Sequence, residues 1–273
     1  MKYTVLSLFP EIVDAFVKSS IMGKAIERGI VEYQSVNIRD FAFDKHRTCD
    51  DAPYGGGAGM LMLVDPLSRA FESVGIRNRF LEKERDESGQ YVETGEVSND
   101  FKKSKKIYLT PSGRLLNQKL ATELAQEDEL ILLCGRYEGV DQRIIDAYID
   151  EEISVGDYVL SSGEAAAITV IDVTYRLVDR VINPESLVEE SFEGGLLEYP
   201  QWTRPEVYGK LVVPGILLSG HHENIRRWRL QKQVEKTLMV RPDLIRTGLE
   251  QGLFDVETRK IIRGALEGQG TTK

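Results

Sequence analysis

Apolar and polar positions alternate from Tyr3 to Leu8, with β-forming residues predominating, and Phe9-Pro10 ends the run, so a first strand is predicted there. Glu11 to Lys18 predicts a short helix with Pro10 near its first turn, and Ile21 to Arg28 a second helix stopped by Gly29. Val31 to Ile38 predicts a second strand. Asp65-Pro66 reads as an N-cap followed by proline at the first helical position, opening a helix that runs to about Val74. Ile107 to Thr110 predicts a strand ending at Pro111-Ser112-Gly113, and Arg114 to Gln126 a helix with Leu115, Leu116, Leu120 and Leu124 on its apolar positions. Leu130 to Cys134 is a continuous apolar run short enough to be a buried strand, and Val140 to Ile149 a helix after it. Another short apolar segment leads to Gly156-Asp157 and Ser161-Ser162-Gly163, and a helix is predicted from Gly163 to Val178. Strands alternating with helices predict an α/β fold on a mostly parallel sheet covered on both faces.

Four segments stand outside that alternation. Asp40 to Met62 is a polar loop whose three consecutive glycines, Gly55 to Gly57, do not favour a regular element. Its His46, Arg47 and Asp50 are candidate functional side chains, because loops carry function more often than cores do. Asn78 to Lys105 is highly charged and without sustained period, and reads as a flexible insertion; Lys102, Lys103, Lys105 and Lys106 at its end read first as a solvated charge run. Residues 183–198 contain Pro184 and Gly194-Gly195 and read as a linker. From Tyr199 the chain is helical and basic, with helices expected over Arg226 to Thr237, Pro242 to Leu249 and Val256 to Leu266. The expected organisation is therefore a first domain over 1–182 with an insertion at 78–105, a linker over 183–198, and a small all-helical domain over 199–273.

Charge sharpens this division. The chain has 273 residues and a formal net charge of -9, which taken whole argues against a nucleic-acid binder. Yet Glu198 to Lys273 holds 13 Lys/Arg against 9 Asp/Glu, while Met1 to Leu197 holds 22 against 35. A basic segment on an acidic chain is what a polyanion contact requires. The two cysteines, Cys49 and Cys134, lie far apart without a metal-ligand spacing, which fits a reducing, cytoplasmic compartment and no structural metal site. No apolar run approaches a membrane span, and MKYTVLSLFPEIVDAF lacks the charged start and cleavage site of a signal peptide.

The chemistry concentrates in Leu130 to Glu164, where two glycine-containing turns each follow a strand and let backbone approach a flat ligand closely. Neither turn matches the dinucleotide or P-loop pattern. The words CGRYEGVDQR and DEEISVGDYVLSSGEAAA, however, resemble the cofactor-binding stretch of the bacterial tRNA (guanine-N1)-methyltransferases, the TrmD family. DKHRT, DDAPYGGG, GMLM, YLTPSGRLLNQ, YPQWTRPEV and SGHHENIRRWRLQ resemble further stretches of that family in the same order.

The resemblance implies a deep trefoil knot in the C-terminal part of the first domain, S-adenosylmethionine as methyl donor, and tRNA as substrate. It implies methylation of ring nitrogen 1 of the guanosine just 3′ of the anticodon. It also implies a homodimer with its active site between subunits, with magnesium possible. Three cofactor walls carry over: Tyr108, Leu109, Thr110, Pro111 and Gly113; then Gly135, Tyr137, Glu138 and Gly139; then Ser154, Val155, Gly156, Asp157, Tyr158, Val159, Leu160 and Gly163. Ser162 stands where the family usually has glycine, and Ala166 where it has proline.

Moving a methyl group onto a protonated ring nitrogen calls for a base to remove the proton and a cation to hold the charge that develops on the neighbouring oxygen. The matched positions are Glu190, in EESF where the family has EDSF, and Arg176, in TYRLVDR. The Glu-for-Asp change lengthens the carboxylate by a methylene, and Glu189 is a neighbouring candidate. The tRNA-binding stretch places Arg226, Arg227, Arg229 and Lys232 on one helix, suited to phosphate contacts. Trp228 there fits a core position better than a stacking one, and His221-His222-Glu223 is no zinc spacing. Another knotted RNA methyltransferase would share the cleft without Arg176 and Glu190; a non-catalytic RNA-binding protein would bind tRNA without the cofactor.

Overall fold

The computed structural model describes residues 1–80, 83–85, 91–93, 104–183 and 190–269. They pack as two units, Met1–Ile182 and Asn183–Lys273.

In the first unit the chain runs through β1 (Lys2–Ser7), α1 (Pro10–Val17), α2 (Ser20–Glu27), β2 (Glu32–Asn37) and a 3-10 turn (Ile38–Phe41). A short pair, β3 (Asp50–Asp51) and β4 (Leu61–Met62), precedes α3 (Val64–Ser73), and β5 (Lys83–Arg85) pairs with β6 (Tyr91–Glu93). Then follow β7 (Ser104–Leu115), α4 (Gln118–Leu124), β8 (Glu129–Cys134), α5 (Gln142–Tyr148), β9 (Glu151–Ser154) and α6 (Gly163–Tyr175). The central sheet has the order β2-β1-β8-β7-β9, and every pairing in it is parallel.

The period-2 alternation of the strands sorts their apolar side chains between two cores. Tyr3, Val5, Ile107, Leu109, Leu130, Leu132 and Cys134 enter the core under α1, α2, α4 and α6. Leu6, Tyr108, Ile131 and Leu133 enter the core under α3 and α5. A strand buried on both sides must be apolar at successive positions, which is why Leu130 to Cys134 reads as an unbroken run. Within the first core the Tyr3 phenol hydrogen-bonds the Thr174 hydroxyl at 2.8 Å, tying α6 to the start of β1.

Several boundaries differ from the sequence reading. The strand expected over 107–110 extends to Leu115, and the helix expected from Arg114 begins only at Gln118. Arg114 and Leu115 stay extended because they pair with Ile153 and Ser154 of β9, and Arg114 bridges Glu151 and Glu123 at 3.2 Å each. Asn117 then caps α4, its side-chain oxygen accepting the Leu120 N–H at 2.9 Å. Between Leu109 and Arg114 the register shifts, so Thr110 to Gly113 bulges from the sheet. Asp65 is not the N-cap of α3 but sits in its first turn; the helix starts two residues before Pro66, at Val64, after an extended Leu63.

The second unit is not all-helical, for β10 (Val207–Tyr208) and β11 (Leu211–Val212) form an antiparallel hairpin. Its helices are α7 (Gly215–Leu218), α8 (His222–Val240), α9 (Pro242–Glu250) and α10 (Val256–Gln269). Leu196, Val234, Ile245, Phe254 and Ile262 form its core. The expected linker and insertion fall partly outside the described residues, as do Glu189, Lys102 and Lys103.

Fully buried Thr237 joins the segment before Tyr199 to α8: its hydroxyl accepts the Leu197 N–H at 2.9 Å and donates to the Gln233 carbonyl at 2.7 Å. Thr237→Val keeps the shape and strands the Leu197 N–H, a loss of about 1–3 kcal/mol. The urea midpoint of the second unit should fall accordingly; a midpoint equal to the wild type's would show that this N–H needs no protein partner.

Candidate active-site cleft

The carboxyl ends of β8 and β9 and the bulge of β7 meet at one edge of the sheet, the place where open parallel sheets present ligand crevices. They enclose a cleft of about 200 Å³. Its first wall is Tyr108, Leu109, Thr110 and Pro111; its second is Gly135, Arg136, Tyr137, Glu138 and Gly139. The third runs from Ile153 through Ser154, Val155 and Gly156 to Tyr158, Val159, Leu160, Ser161, Ser162, Gly163 and Ala166. Of the positions singled out from the sequence, Gly113 and Asp157 do not line the cleft. Gly113 lies against the Glu152–Ile153 backbone, where a Cβ has no room, and Asp157 is exposed. Arg136, Ile153, Ser161, Ser162 and Ala166 line it without having been singled out as site positions.

Local chain chemistry explains the shape. Gly163 N–H donates to the Gly135 carbonyl at 2.9 Å, and a Cβ on Gly163 would stand 2.7 Å from Cys134 Cα and Gly135 N. The third wall can therefore close on the second only through glycine. A Cβ on Gly135 would meet the Tyr108 ring at 2.9 Å, so the first and second walls are equally tight. Tyr137 holds φ +58, a left-handed conformation that costs a non-glycine residue energy and collects at functional turns.

The polar loop over 40–62 buttresses this turn. Met62 N–H donates to Gly139 O at 3.0 Å, Glu138 N–H to Met60 O at 3.0 Å, and Asp141 N–H to Met62 O at 3.3 Å. Burial and then the adjacent Asp50 carboxylate push the Tyr137 phenol above its usual range. Arg136 lies 4.8 Å from the centroid of Phe9 and Arg39 lies 5.5 Å from the same ring, so Phe9 carries two guanidinium groups beside the second wall. Arg47 pairs with Asp40 at 3.1 Å, and the backbone N–H of His46 donates to Asp44.

Beneath the third wall sits a carboxylate that sequence reasoning passed over, although it stands in the first turn of α6. Glu164 is buried; its Oε1 accepts the Ser7 hydroxyl at 2.5 Å, and its Oε2 has no hydrogen-bond partner among the described residues. Ser7 Oγ in turn accepts the Phe9 N–H at 2.8 Å. The end of β1 is thereby pinned to the start of α6. Desolvation, and then the nearby Glu164, push the enclosed Cys134 thiol well above its ordinary range.

A family model described as tRNA (Guanine-1)-methyltransferase TrmD matches residues 1–247. The chain belongs to this family. It is 54% identical over 263 residues to a tRNA (guanine-N(1)-)-methyltransferase of Treponema denticola, covering 96% of this chain and 98% of that protein. It is 52% identical over 252 residues to the one of Borrelia duttonii, covering 92% and 95%, and 47% identical over 263 residues to the one of Treponema pallidum, covering 96% and 95%.

Within the first unit, Arg176 is not among the residues that line the cleft. Arg176 is the half-buried C-cap of α6, a 13-residue helix that begins at the cleft with Gly163. At 1.5 Å per residue that puts its backbone about 20 Å along the helix from Gly163. Glu190 belongs to the second unit and is half-buried. On α8, Arg226 contacts Glu223 and Glu257 at 2.7 Å each, Arg227 contacts Glu257 at 3.2 Å, and Lys232 contacts Glu235 at 2.6 Å. Such surface pairs are worth little, so they leave these cations exchangeable for phosphate. Arg229 instead lies 4.7 Å from the Tyr199 ring centroid.

Both thiols are buried and raised, Cys49 chiefly by desolvation. Each favours its neutral form in the fold, so its stabilising contribution is intact below the unfolded value of about 8.5 and is lost as pH climbs through the folded one. Alkylation at pH 8 should be slow in the folded protein and release two reactive thiols in urea. Fast reaction of either thiol in the folded state would contradict the burial described.

Proposed function

We propose that the protein transfers a methyl group from S-adenosylmethionine to ring nitrogen 1 of guanosine 37, the nucleoside 3′ of the tRNA anticodon. The observation that carries this is the three-walled cleft, in a chain about half identical along nearly its whole length to tRNA (guanine-N(1)-)-methyltransferases. With tRNA as substrate, we place the protein in the cytoplasm; no helix among the described residues is long and apolar enough to cross a membrane.

The lining suits the cofactor. Tyr158, Val159 and Leu160 are apolar side chains left exposed at the third wall, ready to cover a flat adenine face, and backbone at the glycine turns can meet its polar edge. Glu138 supplies a carboxylate to the second wall, opposite in charge to the cofactor's sulfonium and α-ammonium groups. Tyr108, Leu109, Thr110, Pro111, Gly135, Tyr137, Gly139, Ser154, Val155, Gly156 and Gly163 complete the binding surface, with Gly113 packed against the Glu152–Ile153 backbone behind it. When bound, the cofactor supplies an activated methyl on a sulfonium, a good leaving group, so the protein need only align the acceptor and manage its proton.

Glu190 takes the proton from the guanine ring nitrogen as that nitrogen attacks. The Arg176 guanidinium holds the negative charge that builds on the guanine oxygen. Because a full helix separates Arg176 from the cleft of its own chain, a second copy has to bring it to a cofactor; the family's homodimer, with the active site at the subunit interface, provides that arrangement. The family also implies that the chain around the cleft is a trefoil knot. Magnesium has no protein cage here: no group of three or more His, Cys, Asp or Glu side chains converges among the described residues, and no step is assigned to it. Arg226, Arg227, Arg229 and Lys232 hold the tRNA, exchanging their carboxylate or ring contacts for RNA.

Single-turnover methylation of a tRNA with guanosine at position 37 tests the roles. Glu190→Gln should slow the reaction about 10²- to 10⁴-fold and Glu190→Asp should retain it. Arg176→Ala should slow it about 10²- to 10³-fold. Full activity in Glu190→Gln would remove the base from that position. A monomeric active enzyme in sedimentation would refute the shared site.

A further inference from the structure

The second unit contains a cavity of about 210 Å³, lined by Tyr199, Gln201, Trp202, Leu217, Ile225 and Arg229. Its composition is unlike that of the cofactor cleft. Tyr199 and Trp202 contribute flat aromatic faces, Leu217 and Ile225 aliphatic walls, and Arg229 and Gln201 the donor groups. The Arg229 guanidinium lies 4.7 Å from the Tyr199 centroid. Trp228 packs against Trp202, the ring centroids 5.5 Å apart and the planes inclined by 53°, and Lys232 lies 6.0 Å from the Trp228 ring centroid. Trp202 remains 41% exposed, a large aromatic face held open at the mouth of a concave site.

We propose that this cavity is a stacking subsite for one unpaired nucleobase of the tRNA, with Trp202 as the platform and the Arg229 guanidinium at the base edge, where the Gln201 amide, which donates to the Glu198 carboxylate, can exchange that contact for the base. The proposal rests on the tRNA-methyltransferase reading above. Three features select this occupant. An aromatic platform accepts any base through its π face, and a guanidinium in the same pocket adds a cation for the attached phosphate. The segment that builds the cavity is the basic part of an acidic chain, with 13 Lys/Arg against 9 Asp/Glu over Glu198 to Lys273, so it draws a polyanion rather than a basic peptide. Arg226, Arg227 and Lys232 are not part of the lining, so the phosphate-type cations of α8 stand beside the cavity while its own walls offer ring faces. The base must be unpaired, because a base stacked in a helix does not present its face to a side chain.

The chain contains two tryptophans, Trp202 and Trp228, so its intrinsic tryptophan emission reports this patch alone. In full-length Trp228→Phe protein, titration with a substrate tRNA transcript should quench Trp202 saturably, and a short single-stranded RNA should do so more weakly. Trp202→Ala should raise the tRNA KM about tenfold while cofactor affinity by calorimetry stays at the wild-type value, and Trp202→Phe should recover most of the loss. A tRNA KM within twofold of wild type in Trp202→Ala, or emission that does not respond to saturating tRNA, overturns the subsite. So does a change in sedimentation of Trp202→Ala without a change in tRNA affinity, which would assign the face to contact between copies. Methyl transfer by the wild-type protein is scored separately: its absence with intact quenching defeats the enzymatic reading and leaves the subsite, and its presence with unaltered Trp202→Ala kinetics does the reverse.

Discussion

The close approach of Gly163 to Cys134 and Gly135 is the contact on which the cleft depends. There the N–H of the residue that opens α6 meets the carbonyl that follows β8, and no side chain fits between the two backbones. Because the contact is backbone to backbone, it brings the whole loop from Val155 to Ser162 over the crevice beside the β7 bulge. Ser7 and Glu164 reinforce it from below by tying the end of β1 to the same helical turn. A protein interior tolerates a carboxylate only with compensation, so an ion-capable group in this position marks a join that matters for geometry.

The same helix also sets a distance. It is buried along one face, including Ala166, Ala167, Val170, Ile171, Thr174 and Tyr175, and the Tyr3–Thr174 hydrogen bond fixes its far end. A rigid rod of this kind cannot fold back, so a function that begins at Gly163 and a guanidinium that caps at Arg176 are held apart within one chain.

On α8, Arg226, Arg227 and Lys232 sit in carboxylate pairs that water and salt weaken readily, and the Arg229 guanidinium lies against the Tyr199 ring. The first kind of contact suits a phosphate backbone that binds wherever it finds charge, and the second suits a planar group that must be placed. Thr237 meanwhile keeps the chain leaving Leu196 and Leu197 fixed to α8.

The hydrophobic run Leu130 to Cys134, the alternation at β1 and the spacing of the glycines after β8 and β9 are properties of the chain itself. They determined an α/β unit with a parallel sheet, and the quoted words CGRYEGVDQR and SVGDYVLSSGE sufficed to indicate the family. Local chemistry could not reveal that Arg114 and Leu115 would continue a strand, because their helical spacing lost to pairing with Ile153 and Ser154, residues some forty positions away. Nor could it show that Glu164 is buried against Ser7, or that Trp202 would be set against Trp228 and left open at a cavity mouth, since each depends on a partner far along the sequence. Sequence by itself determined the elements, the family and the chemistry available, because these follow from short-range pattern and residue type. Tertiary structure alone decided which backbones touch at the cleft and how far α6 carries Arg176 from it, because those are distances, and distances exist only once the chain has closed on itself.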